Sequence, residues 1–286
     1  MAVVIRRAER LATWSDWQVT LPWQMLWRRR TLLGQLIHRE VQGRYRGSLL
    51  GTAWTLLLPL LGVAVYTLVF GFIFKQRWPN LAAGRELTGW AYPLVLWAGL
   101  AVFQALADVL QRSTSIIAAQ PNLVKKVVFP LEILPVMLAG TVLVPLSLSL
   151  AAVTVGLCLA QGTLPHVGWM LVALIGFLLW LQGVAWALAA LGTFLRDLAP
   201  MVQALCPLLL FLSPVFYPVS VVPEVVQPWY WLNPLAVMLE TLRASLLNAP
   251  LPPWPALLAY FVMSLVIWQA GWVVFTRLRP EMGDVV

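Results

Sequence analysis

Residues that ordinarily carry chemistry are few in this sequence and stand apart. Its two histidines, His38 and His166, have no acid or base partner near them in sequence, and its two cysteines, Cys158 and Cys206, lie inside apolar stretches. Cysteines so placed read as small buried hydrophobes, so neither a disulfide framework nor a metal-ligand spacing is implied. None of Lys75, Lys125 or Lys126 follows a glycine, which excludes a phosphate-cradling loop ending in Gly-Lys. Gly-x-Ser-x-Gly, His-Glu-x-x-His and Cys-x-x-Cys are missing too. No catalytic residue, metal ligand or cofactor is therefore assigned to the chain. What remains is the chemistry of contact, in arginines beside apolar segments and in aromatic side chains within them.

The elements that position these groups follow from composition. Of the 286 residues, 61% are hydrophobic and only 10% charged, with mean hydropathy +0.83. A soluble domain carries about 25% charged residues, so a water-facing surface cannot be assembled from this supply. Long uncharged runs also exclude a disordered chain and a barrel of alternating strands. The class that remains is an all-α integral membrane protein. Six uncharged stretches reach the ~20 residues needed to cross a bilayer, near 49–74, 89–107, 133–160, 169–195, 200–217 and 254–276. The third and fourth form one long run, divided by the turn Gln161-Gly162-Thr163-Leu164-Pro165-His166.

Charge orients these spans. Residues 1–48 hold nine of the 19 Lys and Arg, and the net charge is +8. With the amino terminus inside, 15 basic residues fall on inner segments and four on outer ones, so both termini are expected in the cytoplasm. Basic charge beside a first span faces anionic headgroups, and no nucleic-acid partner is expected. No apolar run precedes Leu49, so the first span is expected to act as the insertion signal.

Two regions depart from simple spans. From Trp23 to Ser48, Leu26, Leu33, Leu36, Ile37, Val41 and Tyr45 recur at near-helical spacing among arginines, the pattern of an amphipathic helix on the membrane surface. Residues 217–255 hold eight of the 21 prolines and cannot be a continuous span. Within them Asn233-Pro234 reads as a helix start, with Glu240 and Arg243 paired one turn apart. Two short interfacial or re-entrant helices are expected there. The spans themselves contain no carboxylate or basic residue: Asp108, Arg112 and Glu132 fall at their edges, and Arg196-Asp197 in the turn between the fourth and fifth. Ion-coupled transport usually places such groups inside, so any energy source is expected in a separate subunit.

Several ordered motifs resemble one family. Arg44-Tyr45-Arg46-Gly47-Ser48-Leu49-Leu50-Gly51-Thr52-Ala53-Trp54, followed by Pro59 and Phe70-Gly71, looks like the opening of type-2 ABC transporter permeases that export polysaccharides such as O-antigen, teichoic acid and capsule. Lys125-Lys126-Val127-Val128-Phe129-Pro130, Arg196-Asp197-Leu198, Ser213-Pro214, Tyr217-Pro218 and Asn233-Pro234 with Arg243 follow in order, and Arg277-Leu278-Arg279-Pro280-Glu281 is similar to the family's ending. Met282-Gly283 departs from its usual Phe-Ala. The resemblance implies a homodimer in the bacterial inner membrane, joined to two nucleotide-binding subunits that hold ATP and Mg. Its substrate would be a glycan linked to a polyprenyl pyrophosphate.

On this reading residues 1–48 form a cytoplasmic segment with an interface helix, 49–276 a six-span domain and 277–286 a cytoplasmic tail. A coupling helix at about 113–128 would present Asn122, Lys125 and Lys126 to the ATPase. An outer gate would occupy about 218–253, with Arg196, Asp197, Asn233, Pro234 and Arg243 as structural or gating candidates. Trp54, Tyr66, Phe70, Phe211, Phe216 and Tyr217 can offer a glycan a sliding aromatic surface; lipid-facing packing is the competing explanation. Arg44 and Arg46 can attract the carrier's pyrophosphate or anchor headgroups. A permease for a drug or small lipid is the alternative within transport, and a membrane enzyme acting on lipid-linked sugars the alternative outside it.

Overall fold

The computed structural model describes residues 20–44, 47–73, 78–82, 85–87, 91–124, 129–162 and 164–285. Helices dominate: α1 (Thr20–Arg28), α2 (Arg30–Arg44), α3 (Trp54–Tyr66), α4 (Ala91–Ser113), α5 (Pro121–Val124), α6 (Ile133–Gln161), α7 (Val167–Phe194), α8 (Leu198–Leu212), α9 (Gln227–Trp231), α10 (Pro234–Leu247) and α11 (Trp254–Val285). The all-α expectation misses one feature, an antiparallel hairpin of β1 (Trp78–Ala82) and β2 (Arg85–Leu87), with Trp78 opposite Leu87 and Ala82 opposite Arg85. It follows the first apolar helix. Below, "inner" and "outer" follow the charge bias.

Four helices are long and apolar enough to cross a membrane, at Ala91–Ser113, Ile133–Ala160, Val167–Phe194 and Trp254–Gly283. The chain is a multi-pass membrane protein. The other two expected spans are shorter apolar helices at Leu57–Val69 and Leu198–Leu212. Glycine accounts for the late start of the first: Gly47 and Gly51 take positive φ (85° and 53°), so regular helix begins only after the 3₁₀ turn Gly51–Ala53. From Thr67 to Ile73 the same helix runs on with π-helical bonding. Proline explains the early end of the fifth. Ser213 precedes Pro214 and lies at φ −98°, ψ 148°, the extended region to which a following proline drives a residue.

Other boundaries shift as well. α4 runs past Ala107 and so carries Asp108 and Arg112 in its own last turns. α11 continues from the membrane through the expected tail to Val285. The amphipathic segment is two helices, broken at Arg29 and described as far as Arg44, and Gly47 and Ser48 are not helical. Between α4 and α6 the expected coupling helix is reduced, among the described residues, to the single turn of α5.

Packing divides into two layers. The larger cluster joins α4, the outer part of α6, α7 and the wholly apolar face of α10. The smaller, inner one gathers Leu134, Met137, Trp186, Trp268, Trp272 and Phe275, and onto it α1 and α2 lay Leu26, Leu33, Leu36 and Ile37. Trp23 adds a ring contact to Trp268 at 5.2 Å. Thus these two helices rest part of their apolar stripe on protein. The most extensive helix pair is α7 with α11, which cross where a Cβ on Gly271 would collide with the Gly183 carbonyl. Small residues at such a crossing let two backbones touch, the main source of helix adhesion where surrounding lipid is as apolar as the side chains. Outward-facing Leu159, Ile175, Leu205 and Phe211 are exposed, as a lipid-facing belt requires.

Candidate functional site

At the inner end, the last turns of α4 meet the last turns of α2. Arg44 donates to the Asp108 carboxylate and Arg112 to Glu40, while Arg112 also lies 3.8 Å from Asp108, four residues earlier on its own helix. Two acids and two arginines thus alternate in a neutral chain that ties the amphipathic helix to a span. Side-chain exposures between 29% and 32% keep all four at the water boundary, where each pair contributes at most about 1 kcal/mol. Arg44, expected to meet the carrier's pyrophosphate or anchor headgroups, has its charge engaged by Asp108; Arg46 lies outside the described residues. A second tie joins Arg279 of α11 to Glu132, whose backbone carbonyl also accepts from Trp186 Nε1 at 3.1 Å.

Residues 114–119, between α4 and α5, form turns, and Asn122 stands exposed on α5. Lys125 and Lys126 fall outside the described residues. Arg196 and Asp197 are both exposed in the turn between α7 and α8, where Asp197 occupies the cap position of α8 without a side-chain cap bond.

The outer end is organised differently. After α8 the chain from Ser213 to Val219 has no regular ladder, and non-helical backbone near membrane depth must find internal partners. Arg243 of α10 supplies them. Its guanidinium is 2% exposed as a residue and donates to the carbonyls of Pro214, of Val215 at 2.8 Å and of Tyr217 at 3.1 Å. It also meets Glu240 at 2.8 Å, and Glu240 in turn accepts from the Val219 amide at 2.9 Å. A guanidinium offers five fixed donors, which is why one residue can serve three carbonyls and a carboxylate. The Glu240–Arg243 pair was legible one turn apart on a helix. Its service to a loop 21 to 29 residues upstream was not.

Around this clamp the aromatics gather. The Tyr217 hydroxyl donates to the Phe211 carbonyl at 2.9 Å and meets the Tyr230 hydroxyl at 2.8 Å. Phe211 and Phe216 stack at 5.7 Å between centroids, with Phe211 68% exposed. Helix α10 opens with Asn233 accepting from the Leu235 amide at 3.0 Å, with Pro234 in its first turn. It closes on Asn248 in the left-handed region at φ 53°, whose amide donates to the Leu164 carbonyl at 3.2 Å. His166, in the same turn, engages Ser245 through its backbone: its amide reaches the Ser245 carbonyl at 2.9 Å.

The remaining aromatic candidates lie apart. Trp54 is partly buried on α3, Tyr66 leans on Trp97 at 5.7 Å, and the side chain of Phe70 is outside the described residues. α3 packs on α4 and α6, and α8 on α4 and α7; among the described residues the two share no extensive interface. One chain therefore presents two aromatic groups rather than one wall. Among the described residues no three of His, Cys, Asp and Glu gather as a metal site.

Residues 31–247, a stretch holding both ends of this arrangement, match the family described as ABC-2 type transporter. The chain belongs to that family. Three curated relatives span this ABC-2 transporter nearly end to end. It is 30% identical over 264 residues to the O-antigen export system permease protein RfbA of Myxococcus xanthus, covering 91% of this chain and 97% of that protein. Two proteins of the same name from Klebsiella pneumoniae are 26% and 24% identical, each covering 89% of this chain and 95% of its own length. The family's stretch begins inside α2 and ends with α10, so α1 and the whole of α11 lie outside it.

Proposed function

We propose that this chain is the permease subunit of an ATP-driven exporter that moves polyprenyl-pyrophosphate-linked polysaccharide, O-antigen in particular, from the inner to the outer leaflet of a bacterial inner membrane. The observation that carries the reading is the end-to-end similarity to O-antigen export permeases, across 91% of this chain for the Myxococcus protein. In this reading two copies assemble, both termini are cytoplasmic, and two partner subunits bind ATP and Mg. The exposed Asn122 turn, with Lys125 and Lys126, receives their motion. Because α3 and the α8 region present aromatics on separate parts of one chain, a second copy supplies the facing side: Trp54, Tyr66 and Phe70 from the first apolar helix, and Phe211 of α8 with Phe216 and Tyr217 of the loop after it, then line the path. Flat aromatic faces suit the C–H faces of sugars while gripping no single geometry. The region about 218–253, held by Arg243 and Glu240, is the outer gate.

The chain has no nucleotide-binding loop, so its complex should hydrolyse ATP only when purified with a nucleotide-binding partner. Deleting the gene should trap lipid-linked glycan on the inner leaflet, read by leaflet-selective labelling and recovered by re-expression. Normal surface glycan in a deletion strain with no second copy would remove the proposal.

A further inference from the structure

A partly open slot of about 250 Å³ lies between α3, α4 and α6, reaching from the inner mouth toward the membrane centre. Its wall is graded. Arg44 and Asp108 stand at the mouth, Gln104 comes next along α4, and beyond lie Ala101, Pro145 and Trp97, with Ser149 the one hydroxyl among them. At 1.5 Å per residue, Gln104 sits roughly 6 Å and Trp97 roughly 16 Å above Asp108. That sequence of charge pair, amide and apolar end is the order of headgroup, glycerol ester and acyl chain in an inner-leaflet phospholipid.

The charges select among headgroups. Arg44 is bonded to Asp108, and Asp108 is shared with Arg112, which Glu40 also holds. The group is neutral, so it has no surplus cation for an anionic lipid. A zwitterion can exchange into it without leaving a bare charge: an ammonium replaces arginine on Asp108, and a phosphate replaces carboxylate on Arg44. A primary ammonium donates hydrogen bonds to Asp108 as a trimethylated one cannot. The volume holds on the order of eight waters at their liquid share of ~30 Å³ each, comparable to a phosphoethanolamine group.

We infer that this slot is a binding site for an inner-leaflet phosphatidylethanolamine, its ammonium on Asp108, its phosphate on Arg44 and its ester carbonyls toward Gln104. The lipid fills the space between α3 and its neighbours and stands independently of what the protein exports. Native mass spectrometry of the delipidated full-length chain in mild detergent, titrated separately with phosphatidylethanolamine, phosphatidylcholine and phosphatidylglycerol, tests it. The ethanolamine lipid should be retained about tenfold better than the other two, the worth of one charge-assisted hydrogen bond. Asp108→Asn should abolish this preference and raise phosphatidylglycerol retention, because Arg44 and Arg112 then face one acid instead of two. Ala105→Leu, which narrows the slot beside Asp108 and alters no charge, should lower ethanolamine-lipid retention and keeps the question decidable should Asp108→Asn fail to fold. Equal retention of the three lipids by the unaltered chain would overturn the assignment. So would an ethanolamine preference that survives Ala105→Leu, or tighter retention of a polyprenyl pyrophosphate in the same titration.

Discussion

The two ends of the molecule use arginine in opposite ways. At the inner mouth Arg44 and Arg112 meet carboxylates about 30% exposed, from helices distant in sequence. At the outer end one arginine, 3% exposed against 13% for its carboxylate partner, holds an irregular loop by its backbone. Water already solvates the first group, so its contacts add little stability and can be exchanged. The second group has surrendered its solvation, and its partners replace what water would have given. Exchangeable contacts suit a place where something must arrive, and irreplaceable ones suit a loop that must hold its shape.

The sharpest way to break this contrast is Arg243→Ala. It takes the cation from Glu240 and the donor from three carbonyls, and the expected loss is about 3–5 kcal/mol, read as collapse of the detergent-solubilised protein's thermal midpoint or of its yield. Arg243→Lys should recover only part of that, because an ammonium lacks the planar fork. If Arg243→Ala cost no more than the inner-mouth variants, the clamp would be refuted. Next in size is Tyr217→Phe, which removes the bonds to Phe211 and Tyr230 and should cost about 1–2 kcal/mol in the same melting experiment. Asn233→Ala deletes the cap of α10 for about 1 kcal/mol. Last comes Glu40→Gln at the inner mouth, expected to cost under about 1 kcal/mol. A salt series sharpens the difference: raising ionic strength to ~1 M shortens the screening length to ~3 Å, which should erase the Glu40→Gln effect and leave that of Arg243→Ala nearly unchanged.

What the sequence made legible follows the range of the signals. The helices at Ala91–Ser113, Ile133–Ala160, Val167–Phe194 and Trp254–Gly283 stood out because an uncharged run is a local property. The Asn233-Pro234 start of α10 and the turn at Gln161–His166 were readable from neighbouring residues for the same reason. Asp108 and Glu40, by contrast, lie 64 and 72 residues from the arginines they meet, and no periodicity carries across such a gap. Hydropathy also failed within the fifth apolar run, where it continues through Ser213-Pro214 while the backbone does not. Arg243 was readable as a gating candidate paired with Glu240, but local polarity cannot reveal that its other partners are carbonyls, which every residue possesses.

Helix α11 has a mechanical consequence. Its 32 residues make a rod of roughly 48 Å at 1.5 Å per residue, against a hydrocarbon layer of ~30 Å. About 18 Å is left over as an arm, and a tilt of ~10° displaces the tip of an arm that long by about 3 Å. Arg279 fastens that arm to Glu132 at the start of α6, and the Gly183–Gly271 crossing lies within the buried length as a fulcrum. A push on the inner tip is thereby delivered to α7 at the crossing and to α6 at the tether in one stroke.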